Sequence, residues 1–546
     1  MMFAPSMLLS LLAITFTVEA AVGKQRTRTT TAPNWFQTTP NNYAGPTVTG
    51  AAPFLAQTNP APFGQVAYVP NAPLQTSEPI VGAQERNIFH LMGNLSWTNP
   101  SSSPYFSPEN GFGVDEYSLP EGANITQMHM FQRHGSRYPA AGENFPLWAS
   151  GIFNATANGT VFEGDLSFLN DWSFKLGEEV LVPQGRKELF DSGILNYYNY
   201  GHLYNNSSKL VVRSASQDRV LKSAENFLAG FFGLDWAEHA NLLVTIDPAV
   251  TGVFDCTRYY DGVLSAFEQV GTWNSIYLKE RTAKLRKLTG SYNWTVADTF
   301  YAQKLCPYET VALGYSDFCQ LFTYEEWEGL EYYFDIIESG AGGFLSPTGR
   351  AYGIAWVEEF LARVEGHLLN VPANTTGANM TLDMNPVTFP VNQSLYLEFG
   401  HDGDIVAAMT AFGLTQFAGF LPATGPPAHQ QFFSSKIVPF AGRLNIEIIK
   451  APHKVSARRS SKTSAKHDAY ICDTGERHYV HFILNQRTIP LHVSFEACEY
   501  RDDGWCELTT FMNVQKESLA KAEYQYACFG NWTMKGYGTY SDGRPV

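Results

Sequence analysis

An α/β fold with a smaller, mainly helical subdomain is predicted by three stretches of this 546-residue chain that share one pattern. Each is a short apolar run, then a polar cluster, then a stretch with helical spacing. The first run, Ile125 to Phe131, leads into Arg133-His134-Gly135-Ser136-Arg137. The second, Leu210 to Val212, ends in Arg213, and Val220, Ala224, Phe227, Leu228 and Phe231 follow at helical spacing. In the third, Leu395, Leu397 and Phe399 alternate with Tyr396 and Glu398, Gly400 breaks the run, and His401-Asp402 precedes a helix containing Ile405, Met409 and Phe412. Open α/β sheets bind ligands outside the carboxyl ends of their strands, so the shared pattern brings three distant clusters to one edge.

The remaining elements follow in chain order. Met7 to Val18 is a short apolar segment, and Val18-Glu19-Ala20 offers small residues for cleavage, so residues 1–20 read as a secretory signal. A membrane anchor is the competing reading; that run is too short, and no later stretch provides a span of about 20 apolar residues. Residues 21–84 are rich in Thr, Pro, Asn and Ala and form an extended lead-in, with order beginning near Asn87 to Met92. Residues 85–546 form one large domain with helical insertions at about 140–205 and 256–345. Within the first insertion Pro183-Gln184-Gly185-Arg186 reads as a turn before an amphipathic helix from Leu189 to Tyr198. Ser216 is a candidate cap of the next helix and Gly233 its stop. The aromatic-rich second insertion, Cys256 to Phe344, reads as helical packing surface. Near the end, Tyr479 to Leu484 and Thr488 to Val493 form a hairpin around Asn485-Gln486-Arg487.

Composition narrows the function classes. Hydrophobic residues make up 44% and charged residues 16%, which is globular and excludes a charge-rich disordered chain. A net charge of −15 argues against nucleic acid as a partner, so any bound anion must be caught by local arginines. Eleven Asn-x-Ser/Thr sequons, at Asn94, Asn124, Asn154, Asn158, Asn205, Asn206, Asn293, Asn374, Asn379, Asn392 and Asn531, agree with export as a glycoprotein. The seven cysteines lack paired metal-ligand spacings, which favours disulfides over zinc. Cys306 with Cys319, and Cys498 with Cys506, could close short loops.

The chemistry concentrates in Met130 to Pro139. Arginine presents a planar fork of donors that fits phosphate oxygens, and a neutral imidazole can attack phosphorus and carry the phosphoryl group. The alternative for such a basic tripeptide is a solvated surface loop. Arg133-His134-Gly135-Ser136-Arg137-Tyr138-Pro139 resembles the Arg-His-Gly-x-Arg-x-Pro signature of the histidine acid phosphatases, the secreted branch that includes fungal acid phosphatases and phytases. The segment Val212 to Val220 is similar to that family's second arginine block, and His401-Asp402 to its late catalytic dipeptide. A second dipeptide, His467-Asp468, lies beside a basic Ser-rich stretch and is set aside.

The resemblance implies a phosphoglycerate-mutase-like large domain with a mixed central sheet flanked by helices. It implies that His134 is the nucleophile, that Asp402 is the proton donor, and that Arg133, Arg137, Arg213 and His401 bind phosphate. Arg219 would then be structural, paired with an acidic neighbour. No metal or cofactor is expected, since arginines supply the positive charge. Cys256 with Cys528 would match the family's long-range bridge, leaving Cys472 over. The substrates implied are small phosphomonoesters. Phytases often carry a lysine-rich segment after the first motif, and here no lysine lies between Tyr138 and Lys175. A broad acid phosphatase is therefore favoured, with inositol hexakisphosphate as the alternative substrate. An inactive cell-wall glycoprotein would account for the export features alone. A phosphoglycerate mutase would share the Arg-His-Gly but is not expected to carry the signal, the sequons or the His-Asp pair.

Overall fold

The computed structural model describes residues 105, 108, 111–245, 256–370, 375–459, 470 and 475–546. The signal and lead-in, the expected onset of order, Asn94, Asn374, Cys472 and His467-Asp468 lie outside them. In chain order the principal elements are β1 (Asn124–Arg133), α1 (Phe145–Ala157), α2 (Pro183–Tyr200), β2 (Leu210–Ala215), α3 (Asp218–Phe232) and β3 (Ala240–Thr245). They continue with α4 (Tyr259–Tyr277), α5 (Val296–Leu313), α6 (Tyr324–Ala341), α7 (Gly349–Glu365), β4 (Leu395–Gly400) and α8 (Asp402–Phe412). The last are β5 (Arg443–Ala451), β6 (Arg477–Leu484), β7 (Arg487–Ile489), β8 (Cys506–Glu507) and α9 (Leu508–Lys521).

One mixed sheet runs in the order β3-β2-β4-β1-β5-β6-β7, with β8 on β6. The first four strands are mutually parallel, and β5, β6, β7 and β8 pair antiparallel. Strand alternation assigns the two faces. Met128 and Met130 of β1 and Leu395, Leu397 and Phe399 of β4 join Val220, Ala224 and Phe227 of α3 in one buried cluster. On the other face Phe131 stacks on Trp356 of α7, at 5.3 Å between ring centroids. Both faces are covered, and the α7 face also buries His129 and Arg213.

Several local readings are corrected. Pro183 starts α2 instead of forming a turn, because a proline's missing N–H and fixed φ suit the first helical position. Gln217, not Ser216, is the cap residue of α3, and Gly233 ends that helix at φ 95°. The hairpin turn lies at Asn485-Gln486, both with positive φ, but its second strand stops at Ile489 before Pro490, and Val493 falls in a short helix. Strands β3 and β5 have no counterpart in the sequence-based expectations. Disulfides join Cys256 to Cys528, Cys306 to Cys319 and Cys498 to Cys506. No helix among the described residues is long and apolar enough to cross a membrane.

Candidate active site

The sheet register sets where each polar cluster can reach. Arg133 pairs with Gly400, so His134 on one strand and His401-Asp402 on the other leave the sheet side by side. The two imidazoles lie 5.8 Å apart between ring centroids. The loop after β1 is held tightly by its surroundings. Gly135 N–H donates to Ser223 of α3, and Ser136 gives both its N–H and its hydroxyl to Glu188 of α2, each at 2.8 Å. A Cβ on Gly135 would sit 2.4 Å from the Gly185 carbonyl oxygen, so only glycine lets the loop approach α2 this closely.

His134 is 1% exposed, and its Nδ1 lies 2.9 Å from the Gly135 carbonyl oxygen. That contact is a hydrogen bond only when Nδ1 carries the proton, which leaves the Nε2 lone pair free. Burial, followed by the charges of Arg133, Arg137, Arg219 and His401, holds the imidazole well below its ordinary 6.5. A neutral ring among cations is the state a nucleophile needs.

Around it the arginines are anchored one by one. Arg133 donates from Nη1 to the Val438 carbonyl at 2.6 Å, pairs through Nη2 with Asp402 at 2.6 Å, and lies over the Phe440 ring. Arg137 donates to the Tyr138 carbonyl at 2.8 Å, and its Nε is buried without a hydrogen-bond partner among the described residues. Nε of Arg219 is equally buried and unpartnered, while Nη1 of that side chain pairs with Glu179. Buried donors left unpaired cost about 1–3 kcal/mol each, which an anion with several oxygens would offset. His401 faces Asp404 through Nδ1 at 3.1 Å and Gln217 through Nε2 at 2.9 Å. Burial acts to raise the Asp402 pKa, but Arg133 and then His401 outweigh it and hold the carboxyl below its usual value. Among the described residues no group of three or more His, Cys, Asp or Glu side chains could hold a metal ion.

Arg213 is not part of this cluster. It pairs with Glu398 in the sheet, two rows before the Arg133–Gly400 row, because β2 continues to Ala215. That sets it about 6–7 Å back from the edge at the usual rise per residue. Its side chain turns to the α7 face, where Nη1 meets Glu359 at 2.7 Å and Nη2 meets Asp383 at 2.6 Å. The cation that β2 and its following helix bring to the edge is Arg219, whose charge acts on His134 and is itself influenced by Arg137, Asp402 and Arg133. A sequence signal for it exists: Arg219 is the second residue of α3, and a cation in a helix's first turn opposes the helix dipole unless an anion is near. The expected pair with an acidic neighbour is present as well, with Glu179.

Four further side chains come from the helical segments, where the sequence offered no chemistry. Glu143 accepts from the Tyr308 hydroxyl at 2.9 Å and lies 3.5 Å from Lys304 Nζ, both on α5. The Glu143 carboxylate, with the Tyr308 hydroxyl bonded to it, acts on Arg137. Glu338, on α6, interacts with Asp402 and Arg133.

Buried carboxyls elsewhere make stability depend on pH. Burial pushes Glu188 from 4.5 up to about 7, Asp335 from 3.8 up to about 7 and Asp383 from 3.8 up to about 8. With raised folded-state values, their contribution is present below the unfolded-chain values and is lost as pH rises through 7 and 8. Asp402, with a lowered value, contributes in the opposite sense, and its share is lost only in stronger acid. The melting temperature is therefore expected to be higher near pH 5 than near pH 8, by roughly several degrees, in a calorimetric pH series. A rise across that interval would contradict these assignments.

The family model for "Histidine phosphatase superfamily (branch 2)" matches residues 124–485. Phytase A of Arthroderma benhamiae is 31% identical over 432 residues, covering 75% of this chain and 87% of that protein. A thiamine-repressible acid phosphatase of Schizosaccharomyces pombe is 28% identical over 475 residues, 81% and 92% of the two chains. The crystal structure of the phytase from D. castellii superposes with a TM-score of 0.61 at 20% identity, over 84% of this chain and 93% of that one.

Proposed function

The chain belongs to the histidine phosphatase superfamily (branch 2), and from that premise we propose how its site hydrolyses phosphomonoesters. The observation that carries the proposal is the 2.9 Å contact of His134 Nδ1 with the Gly135 carbonyl oxygen, which selects the tautomer with an Nε2 lone pair, in a ring acted on by three guanidinium groups. Arg133, Arg137 and Arg219, with His401, bind the phosphoryl oxygens. His134 Nε2 attacks phosphorus in line, forming the N–P bond as the bond to the ester oxygen breaks, and Asp402 gives that oxygen its proton. Water then attacks the phosphohistidine, the N–P bond breaks, and the water's proton goes to Asp402. Positioning and charge carry the catalysis.

Asp402 must start protonated, yet in the free site Arg133 keeps it ionised. A bound phosphate dianion takes over the Arg133 donors and adds negative charge beside Asp402, and both effects favour its protonation. Turnover is thus expected at acid pH, measured as release of 4-nitrophenol from 4-nitrophenyl phosphate; an exclusively alkaline optimum would sink this reading.

Asp402→Asn separates the proton donor from the rest. An alkyl phosphate, whose alkoxide leaves poorly, should lose kcat by roughly 10²- to 10⁴-fold. Hydrolysis of 4-nitrophenyl phosphate, whose anion leaves readily, should lose much less. Equal losses on both would reject Asp402 as the acid.

Export is supported by the apolar N-terminus and sequons together with three disulfides, which persist in oxidising compartments. The preferred substrate we propose is a broad range of simple phosphomonoesters. A second reading, hydrolysis of inositol hexakisphosphate, is favoured by relatives named Phytase A and by Lys304, a cation of α5 paired with Glu143, whose carboxylate acts on Arg137.

A further inference from the structure

Glu338 sits near the carboxyl end of α6 and is 8% exposed. Four residues on, Gly342 packs against α8 so closely that a Cβ there would lie 3.0 Å from the Gly403 carbonyl oxygen. Gly342 N–H and Gly343 N–H both donate to the Glu338 carbonyl, at 3.1 and 3.2 Å, so this contact fixes the helix end beside Asp402-Gly403. The Glu338 carboxyl makes no hydrogen bond to another described residue. A largely buried acidic residue at this edge, held there by a fixed helix end, calls for an explanation by function.

The charged groups that face it are Asp402 and Asp404 of α8, Arg133 at the end of β1 and Asp335 one turn back on α6. The Tyr259 hydroxyl of α4 also lies within its influence. The site is therefore polarised. Glu338 and Asp404 thus add carboxyls beside Asp402, the group that meets the leaving oxygen in the reading above.

Resting on the phosphomonoesterase reading above, we propose that Glu338 is a specificity determinant that disfavours leaving groups bearing further phosphates. An ester with a neutral alcohol leaves past this carboxyl without electrostatic cost, whereas a second phosphate directed the same way meets like charge in a partly desolvated cleft. Burial, then Asp402, raises the Glu338 pKa well above 4.5, so its charge and its discrimination both grow as pH rises.

The test compares kcat/KM for inositol hexakisphosphate with kcat/KM for 4-nitrophenyl phosphate, in the full chain and in Glu338→Gln. The Gln side chain matches the protonated carboxyl in shape, and comparing proteins at each pH cancels the substrates' own titration. The substrate ratio should rise in the variant by about ten-fold near pH 7.5 and by less near pH 4.5. Loss of packing alone would lower both substrates together. Glu338→Ser, the second neutral variant, should move the ratio in the same direction. If the wild type cleaves only the simple ester, a gain of hexakisphosphate turnover in either variant supports the proposal. A ratio within two-fold of wild type at every pH, in whichever variants fold, overturns it. Failure of the wild type on 4-nitrophenyl phosphate would instead overturn the functional reading beneath it.

Discussion

His134→Ala should lower kcat on 4-nitrophenyl phosphate by roughly 10⁴- to 10⁶-fold, the range seen when a covalent nucleophile is removed while the rest of a site remains. The ring's position makes the effect chemical. Its Nδ1 is committed to Gly135, and its charge is suppressed by burial and by four neighbouring cationic or imidazole groups. Little stability rests on it, because the loop is held by Ser223 and Glu188, and the melting temperature should stay close to wild type. Rapid acid-free quenching with labelled substrate should trap phosphoprotein in the wild type and none in the variant. A labelled variant, or one retaining a tenth of wild-type kcat, would show that another group attacks phosphorus.

The sequence carried the architecture because its strongest signals are local. Arg133 sits at the last position of β1, and His401 directly follows β4, so an apolar run followed by a polar cluster located both correctly at the edge. The same rule misplaced Arg213, since β2 does not stop where its apolar residues stop. Ser214 and Ala215 extend the strand, and two rows of register separate Arg213 from the edge. Side chains from α5 and α6 could not be read at all. Lys304 and Tyr308 lie among core residues at helical spacing, and Glu338 follows a run of buried aromatic and aliphatic residues. What makes them part of the site is the packing of helices against the sheet edge, and sequence spacing holds no record of that. Glu179 is similar: it reaches both Arg219 and Ala141 from a left-handed backbone conformation, φ 68°, that no local pattern announces.

The exchange of roles between Arg219 and Arg213 has the second large consequence. Arg219→Ala removes a guanidinium that acts on His134 and Asp402, so kcat/KM should fall by about 10²- to 10³-fold, the cost of losing one donor to the developing charge. Unfolding should change little, because its partner Glu179 is partly exposed and can return to water. Arg219→Lys keeps the charge but loses the fork, and should fall between the two. Arg213→Ala should behave in the opposite way. Its guanidinium pairs with the buried Glu359 and donates to the buried Asp383, and its removal strips Asp383 of that donor and leaves Arg363 alone to balance Glu359 and Glu398. Breaking a buried pair by deleting one partner destabilises by about 3–5 kcal/mol, so denaturant unfolding should shift strongly. Residual folded protein should keep most of its kcat, because the Arg213 side chain pairs with Glu359 and Asp383, away from the edge proposed to bind phosphate. The decisive measurement is the pair of numbers for each variant, activity per folded molecule and midpoint of unfolding. If Arg213→Ala loses turnover at unchanged stability while Arg219→Ala keeps it, the register argument is wrong and β2 delivers its strand arginine to phosphate after all.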